Sequence, residues 1–221
     1  MRVDELKRLR ESLERDIGVF NEHKKRNFAV LVSLVLVDEE FYFLFQKRAK
    51  GIRQGGEISF CGGGVDEGES AKEAVLREAF EEIGVEKDKI EIVGQLDRLV
   101  HAGHVLIDSF VAILHIDSLN ELDINRCEVD EVFMLPISFF NERNLNHYQT
   151  RTIIQPFFEK DGETIELFPT KKHNLPNIYH REWGETFNDI FLYESQHGTI
   201  WGLTSVLIHE VLRLLRVDRE I

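Results

Sequence analysis

The chain has 221 residues and carries 27 basic and 40 acidic side chains, which gives a formal net charge of −13 at pH 7. Such an acidic balance argues against broad nucleic-acid binding, because no excess of cations is present to displace counterions from phosphates. The two cysteines are too few for a disulfide scaffold, and the most apolar run, residues 28–37, is too short to span a bilayer. We therefore expect a single α/β domain over residues 1–221, cytoplasmic, with no nucleic-acid partner and no membrane association.

The chain begins with the pattern of an amphipathic helix. Leu6, Leu9, Leu13 and Ile17 are spaced three or four residues apart, as on one face of a helix. We expect residues 1–25 to form an N-terminal helical extension of the domain.

Two apolar runs, Phe28–Val37 and Phe41–Arg48, come next, with three acidic residues between them. The short polar connection predicts an antiparallel β-hairpin. Ile58–Phe60 is a third, short strand, and we expect a glycine-rich turn at Gly62–Gly64 directly after it.

The segment Ser70–Ile83 is predicted to be helical. Its apolar residues form a stripe at helical spacing that includes Phe80. Ser70 followed by Glu73 is a capping-box pattern, and Gly84 is typical of the end of a helix.

Beyond this helix, strands are predicted at residues 90–96, 105–115 and 129–135, and a second helix at Thr199–Leu215. Residues 141–198 lack clear periodicity and are interpreted as a long insertion or lid before that helix. Strands placed between and around two helices favour one mixed α/β domain over a regular βαβ alternation.

Three glutamates of the first helix, Glu78, Glu81 and Glu82, are spaced three and four residues apart, so we expect their side chains to converge on one patch. Like charges at this spacing repel one another, and a hard divalent cation such as Mg²⁺ would turn the repulsion into attraction. The alternative is a solvated acidic face. The glycine-rich turn favours the cation, because glycine lets backbone groups approach a metal or a phosphate closely. Arg77 lies eight residues after Glu69, and a pair between them would fix the loop against the helix.

From Gly63 to Val85 the sequence reads G-x5-E-x7-R-E-U-x-E-E-x-G-U, where U is an apolar residue. This pattern resembles the complete signature of the Nudix hydrolases. The resemblance implies an α/β/α sandwich built on a mixed β-sheet. It also implies hydrolysis of a small-molecule nucleoside diphosphate derivative, assisted by Mg²⁺ or Mn²⁺.

By the same resemblance, Glu78 and Glu82 are the main metal ligands, with Glu81 as a third and the Gly62 carbonyl as a further contributor. Metal ions would neutralise the anionic oxygens of the pyrophosphate, position the attacking water and lower its pKa. A carboxylate that is not saturated by metal would then take the proton of the water.

The candidate catalytic residues are Glu78, Glu81 and Glu57. Glu128 and Glu131 are further candidates for the base, and the sequence does not choose between them.

The sequence around the signature indicates the substrate. Residues 43–70 resemble the segment that coenzyme A pyrophosphatases carry before the signature, with Arg48, Ile52-Arg53 and then Gly56–Phe60. Residues 128–140 and 200–208 resemble the same subgroup. Cys61, however, stands where the subgroup usually has proline.

This segment also holds a basic cluster of Lys47, Arg48, Lys50 and Arg53, which could form charge-assisted hydrogen bonds to phosphate. Of these four, Lys47, Arg48 and Arg53 are predicted to bind substrate. The alternative is a solvated loop beside a strand end. We expect coenzyme A or its thioesters as substrate, giving 3′,5′-ADP and phosphopantetheine products. The alternatives are ADP-ribose, a dinucleotide or a nucleoside triphosphate, and, in another class, a non-catalytic nucleotide-binding module. The sequence leaves the oligomeric state open.

Other residues carry weaker signals. His101 and His104 are interpreted as loop or core histidines, because no third metal ligand accompanies them. Trp183, Tyr179 and Phe157 would either stack on an adenine or pack a lid against its domain.

Overall fold

The computed structural model describes residue 19 and residues 25–101 and 105–217, with side chains to residue 215. Apart from residues 19 and 25, the helical extension predicted for residues 1–25 lies outside the described residues, as does His104. No helix within residues 25–101 and 105–217 combines the length and apolar character that a bilayer crossing requires.

The centre of the protein is an eight-stranded mixed sheet. β1 and β7 pair in parallel, and the remaining pairs are antiparallel. The strands are β1 Arg26–Val37, β2 Glu40–Arg48, β3 Ile58–Ser59, β4 Cys61–Gly64, β5 Ile90–Gln95, β6 Leu99–His101, β7 Val105–Leu114 and β8 Val129–Pro136. The mixed sheet confirms the predicted fold class.

The predicted hairpin is formed by β1 and β2. Its two turn residues, Asp38 and Glu39, have φ angles of 47° and 67°. Two successive positive φ angles are typical of the tight turns whose twist matches that of antiparallel strands. The strands predicted from residues 90, 105 and 129 are also present, whereas β6 has no counterpart in the sequence-based prediction.

The first predicted helix is confirmed as α1, Ala71–Ile83. The capping box between Ser70 and Glu73 is present, and Gly84 ends the helix with a φ of 69°. The prediction for Phe80 was wrong, because this side chain is 52% exposed. Glu82, not Phe80, is buried on this helix.

The second helix is α2, Gly202–Val217, and it begins later than predicted. Thr199 and Ile200 belong to a short strand, β13 Gly198–Ile200, which pairs with a neighbouring strand. Gly202 has a φ of 63°, a conformation that favours glycine, and it marks the change from strand to helix.

Two apolar cores lie on the two faces of the sheet. Because side chains alternate along a strand, Leu31 of β1 packs into the core that contains α1, and Val32 packs into the core that contains α2. The same alternation separates Leu44 from Phe43 on β2. The two helices therefore cover opposite faces, which is the expected α/β/α sandwich.

Residues 141–198, predicted as an insertion or lid, form mostly β-structure. β9 Leu145–Ile154 pairs antiparallel with β12 Trp183–Ser195, and we call this pair the β9–β12 ribbon. A smaller hairpin, β10 Phe157–Lys160 and β11 Glu163–Glu166, lies between its strands in the sequence. Most of the ribbon is exposed, and it joins the core at its base through the buried Tyr193. Its role as a lid stays a prediction.

Candidate active site

The three glycines before α1 lie in a strand, so the predicted glycine-rich turn was wrong. Gly62 and Gly63 pair with Val30 and Ala29 of β1 as part of β4. A Cβ atom on Gly62 would lie 2.3 Å from the Ala29 carbonyl oxygen, and one on Gly63 would lie 2.2 Å from Oε1 of Glu78. Glycine is therefore required at position 62 by the close approach of the β1 backbone, whereas a side chain at position 63 would displace the Glu78 carboxylate.

The predicted pair between Glu69 and Arg77 is confirmed. Arg77 Nε and Nη2 donate to the two carboxylate oxygens of Glu69 at 3.0 and 3.1 Å. Arg77 Nη2 also donates to the Gly64 carbonyl oxygen at 2.9 Å. The bonds from Arg77 to Glu69 lower the pKa of Glu69. Together with the bond to Gly64 they hold the loop, β4 and α1 together as one rigid unit.

The same guanidinium holds two of the predicted metal ligands. Arg77 Nη1 donates to Glu78 Oε1 and to Glu81 Oε2, both at 2.8 Å. The Glu78 side chain is only 13% exposed, and the Glu81 side chain is 50% exposed. Burial raises the pKa of Glu78 despite its bond to Arg77.

Glu82 is the most deeply buried of the three glutamates, with 2% exposure. Its Oε2 accepts a hydrogen bond from the Gly62 backbone N–H at 3.0 Å, and its Oε1 lies 3.9 Å from Nη1 of Arg48. Burial raises the pKa of Glu82 to about 7, although the nearby Gln46 side chain and the bond from the Gly62 N–H oppose this shift. A buried carboxylate with a raised pKa would be stabilised by a nearby positive charge.

The three carboxylates adjoin one another but do not surround one point. Arg77 holds Glu78 and Glu81, while Glu82 bonds to the β4 backbone. Accordingly, no group of three or more His, Cys, Asp or Glu side chains is arranged to hold a metal ion among the described residues. We call Glu78, Glu81 and Glu82, together with Gly62–Gly63, the carboxylate face.

The residues of the carboxylate face nevertheless fit a hard divalent cation. All the side-chain donors are carboxylate oxygens, which Mg²⁺ and Mn²⁺ prefer. The absence of a side chain on Gly63 leaves room for the Glu78 carboxylate against the strand. Burial raises the pKa of both Glu78 and Glu82, so that a cation would relieve the electrostatic cost of their negative charge.

A cavity of about 510 Å³ lies beside the carboxylate face, and we call it the active-site cavity. Gly62 and Gly63 line it, as do three of the residues that the sequence predicted: Arg48, Arg53 and Glu57. Arg48 Nε donates to the Arg53 carbonyl oxygen at 3.3 Å, which ties the loop after β2 to that strand.

Other predicted residues lie elsewhere. Lys47 donates from Nζ to the His197 carbonyl oxygen at 3.0 Å and does not line the cavity. Glu131 bonds to His197 Nδ1 at 2.6 Å, and Glu128 accepts from Asn125 at 3.3 Å. Three candidate bases lie outside the signature: Glu57, Glu128 and Glu131. In the part of the chain that the structure describes, only Glu57 of these three lines the active-site cavity.

Sequence reasoning missed cavity residues that come from distant segments. Arg26 and Phe28 of β1 line the cavity, as do Trp201 and Thr204 at the start of α2. Residues 200–208 gave a signal through their resemblance to the coenzyme A subgroup, but nothing in the sequence marked Arg26. His101 also lines the cavity, whereas the sequence had assigned it to a loop or core.

A second, larger cavity of about 830 Å³ lies between α2 and the base of the β9–β12 ribbon. Leu99, Phe191 and His209 line it, and none of the predicted site residues does. The chemistry therefore points to the smaller cavity as the active site.

Comparison with known proteins shows the family of the chain. The NUDIX domain family model matches residues 26–155. Nudix hydrolase 3 of Caenorhabditis elegans is 31% identical over 194 residues, which cover 86% of this chain and 73% of the relative. The chain belongs to the Nudix family.

Among the other Nudix relatives, the mouse (Mus musculus) peroxisomal coenzyme A diphosphatase NUDT7 is 34% identical over 173 residues, covering 73% of this chain and 71% of the relative. The crystal structure of a MutT/nudix family protein from Enterococcus faecalis aligns with 99% of this chain and 70% of its own, at a TM-score of 0.48 and 18% identity. Membership of the family identifies the protein as a Nudix pyrophosphohydrolase that acts on nucleotide derivatives.

Proposed function

We propose that this Nudix hydrolase cleaves the pyrophosphate bond of coenzyme A or its thioesters with the help of Mg²⁺ or Mn²⁺. One observation carries the proposal: the active-site cavity joins the carboxylate face, through Gly62 and Gly63, to the cationic side chains of Arg48 and Arg53. A pyrophosphate needs both of these surfaces, since cations bind its oxygens and metal-binding carboxylates serve its hydrolysis.

In this proposal Glu78, Glu81 and Glu82 would hold the metal, with the Gly62 carbonyl as a further ligand. The bound metal would neutralise phosphate oxygens and lower the pKa of a coordinated water. Arg77 Nη1 bonds to one oxygen of each of Glu78 and Glu81, so the second oxygen of each carboxylate could bind the metal while these bonds persist. The bidentate pair with Glu69 would keep Arg77 in place beside the metal ligands.

Arg48 and Arg53 would bind the phosphate groups of the substrate. A guanidinium matches phosphate geometry with two parallel hydrogen bonds, which fixes orientation as well as position. Lys47 is left out of this contact set, because its ammonium is bonded to the His197 backbone away from the cavity.

Glu57 is the proposed general base. It lines the cavity, and its Oε2 accepts one hydrogen bond from Gln54 at 3.3 Å. The remaining lone pairs of this carboxylate are available to accept a proton from an attacking water. Glu78 and Glu81 would act catalytically through the metal they hold.

Two observations support coenzyme A as the substrate. The mouse relative is named a coenzyme A diphosphatase, and residues 43–70 of this chain resemble the segment that precedes the signature in that subgroup. Hydrolysis would add one water across the pyrophosphate and release 3′,5′-ADP and 4′-phosphopantetheine. ADP-ribose, dinucleotides and nucleoside triphosphates are the alternative substrates.

A substrate panel tests the proposal. The protein is incubated with Mg²⁺ or Mn²⁺ and, separately, with coenzyme A, acetyl-coenzyme A, ADP-ribose, a diadenosine polyphosphate and ATP, and the products are separated by chromatography. We expect the highest kcat/KM for coenzyme A or its thioester and no turnover in EDTA. A higher kcat/KM for another compound would reject coenzyme A, and metal-independent turnover would reject the proposed chemistry.

A further inference from the structure

Trp201 occupies an unusual position for a tryptophan. Its side chain is 45% exposed, although tryptophan is highly buried on average. It lines the active-site cavity together with Gly62 and Gly63 of the carboxylate face. A large aromatic surface is therefore held open to the cavity in which the chemistry takes place.

The backbone on both sides of Trp201 is firmly anchored. Ile200 is fully buried in the core between the sheet and α2. Thr204, on the first turn of α2, donates from Oγ1 to the Ile58 carbonyl oxygen of β3 at 3.0 Å in a buried hydrogen bond. The Trp201 backbone thus requires little ordering when a ligand binds, which favours affinity.

The surroundings of Trp201 combine apolar surface with cationic groups. Phe28 and Leu203 also line the cavity, and the Arg26 guanidinium lies 5.9 Å from the centre of the Phe28 ring. Arg48 and Arg53 supply further positive charge in the same cavity. A ligand that suits this lining has a planar aromatic part and anionic groups, and a nucleotide has both.

We infer that Trp201 binds the nucleotide part of the substrate by stacking on its base. The inference rests on the proposed function, because it requires a nucleoside diphosphate derivative in the active-site cavity. Stacking suits an indole ring, which offers a large and rigid π-surface with few rotatable bonds.

The aromatic residues singled out from the sequence do not compete for this role. Trp183 and Tyr179 contact each other edge to face at 5.4 Å between ring centres, and neither lines the active-site cavity. Phe157, on β10, does not line it either. Since the chain has only two tryptophans, Trp201 is the single indole placed to meet a substrate.

Because the chain has two tryptophans, replacing one of them allows a direct binding experiment with the other. In a Trp183→Phe background, Trp201 is the sole tryptophan, and its fluorescence reports on the cavity without any turnover. The protein is titrated in Mg²⁺ with the product 3′,5′-ADP and with two base-free compounds, ribose 5-phosphate and inorganic pyrophosphate. We expect saturable quenching by 3′,5′-ADP and little change with either base-free compound. Unchanged fluorescence while calorimetry shows that 3′,5′-ADP binds would overturn the inference.

A kinetic series separates stacking from a merely structural role. Trp201→Leu should raise KM about 10-fold, within the range that stacking of one base commonly gives, with kcat within about threefold of wild type. Trp201→Phe should restore most of the affinity, because it keeps an aromatic face. Circular dichroism checks the fold of each variant, and Trp183→Leu is the matched control outside the cavity.

The two proposals fail in different ways. Hydrolysis of coenzyme A by wild type with an unchanged KM in Trp201→Leu would overturn the stacking and leave the proposed function intact. Quenching of Trp201 by 3′,5′-ADP in a protein that hydrolyses no member of the substrate panel would support the stacking and reject the proposed function.

Discussion

The carboxylate face and the active-site cavity beside it are built in contrasting ways. The carboxylate face comes from a continuous stretch, Gly62–Val85, whose members contact one another through Arg77 and the β4 glycines. The active-site cavity is assembled from β1, the loop after β2, β4, β7 and the start of α2.

This difference indicates which part of the protein binds the metal and which part selects the substrate. The carboxylate face is held by contacts among its own members, so we propose that it binds the metal. The cavity is lined by distant segments, and substitutions there need not disturb the carboxylate face. We therefore assign substrate choice to the cavity. Variants of the face should change kcat, and variants of the cavity lining other than the proposed base Glu57 should change KM.

The largest effect is expected on the carboxylate face. Glu82→Gln keeps the size of the side chain and removes the negative charge, so kcat for coenzyme A should fall about 100- to 1,000-fold, with KM changed less than about threefold. Steady-state kinetics measure both. Glu67→Gln removes an exposed carboxylate from the preceding loop and is the control, because it should keep wild-type activity.

Glu82→Gln should also stabilise the metal-free protein at high pH. Burial raises the pKa of Glu82 from its ordinary 4.5 to about 7, so the stability that depends on its neutral form is full below pH 4.5 and lost as pH rises through 7. In EDTA, Glu82→Gln should match wild type near pH 4.5 and exceed its free energy of unfolding by up to about 3 kcal/mol at pH 8. Urea unfolding across this range checks the prediction, and a difference independent of pH would contradict it.

A smaller effect on kcat is expected from Gly63→Ala. The new Cβ would lie 2.2 Å from Glu78 Oε1 and push this carboxylate away, while the fold survives because the end of a glutamate side chain is able to move. Activity should fall about 10- to 100-fold. Gly64→Ala is the matched control, since a Cβ there meets no atom within 4 Å. Equal losses in the two variants would show that strand pairing, not the position of Glu78, is responsible.

Substitution of a cationic residue in the cavity lining should change KM. Arg53→Ala removes a cation from the lining, and KM for coenzyme A should rise about 10-fold with little change in kcat. Lys50→Ala removes an exposed cation from the same loop without touching the cavity and serves as the control. A fall in kcat with unchanged KM would contradict the assignment of substrate choice to the cavity.

The smallest effect is expected at the anchor of α2. Thr204→Val keeps the shape of the side chain but leaves the buried Ile58 carbonyl without its donor. The free energy of unfolding should fall by about 1–2 kcal/mol, and Thr204→Ser should retain most of the stability. Thermal unfolding measures both variants, and equal melting temperatures for valine and threonine would show that the bond contributes nothing.

The same contrast explains what the sequence could predict. The capping box at Ser70, the end of α1 at Gly84 and the pair between Glu69 and Arg77 depend on neighbours within about eight residues, and all were predicted correctly. The conformation of Gly62–Gly64 was predicted wrongly, because its strand partner β1 lies some thirty residues earlier.

The cavity lining was predicted only in part for the same reason. Arg48 and Arg53 lie near the signature and were found, whereas Arg26 and Trp201 reach the cavity through the pairing of β1 with β7 and the docking of α2. The apolar pattern of the first helix also failed to predict which side chains are buried. Helical spacing placed Phe80 in the core, whereas the structure exposes Phe80 and buries Glu82 beside Gly62.

The most direct test of the central claim is the Mn²⁺ dependence of coenzyme A hydrolysis in wild type and in Glu82→Gln. If the carboxylate face binds the metal, Mn²⁺ should activate wild type saturably and EDTA should abolish its activity. Glu82→Gln should then reach at most about 1% of wild-type activity at Mn²⁺ concentrations that saturate wild type. Equal half-saturating Mn²⁺ concentrations in the two proteins, or wild-type turnover that continues in EDTA, would contradict it.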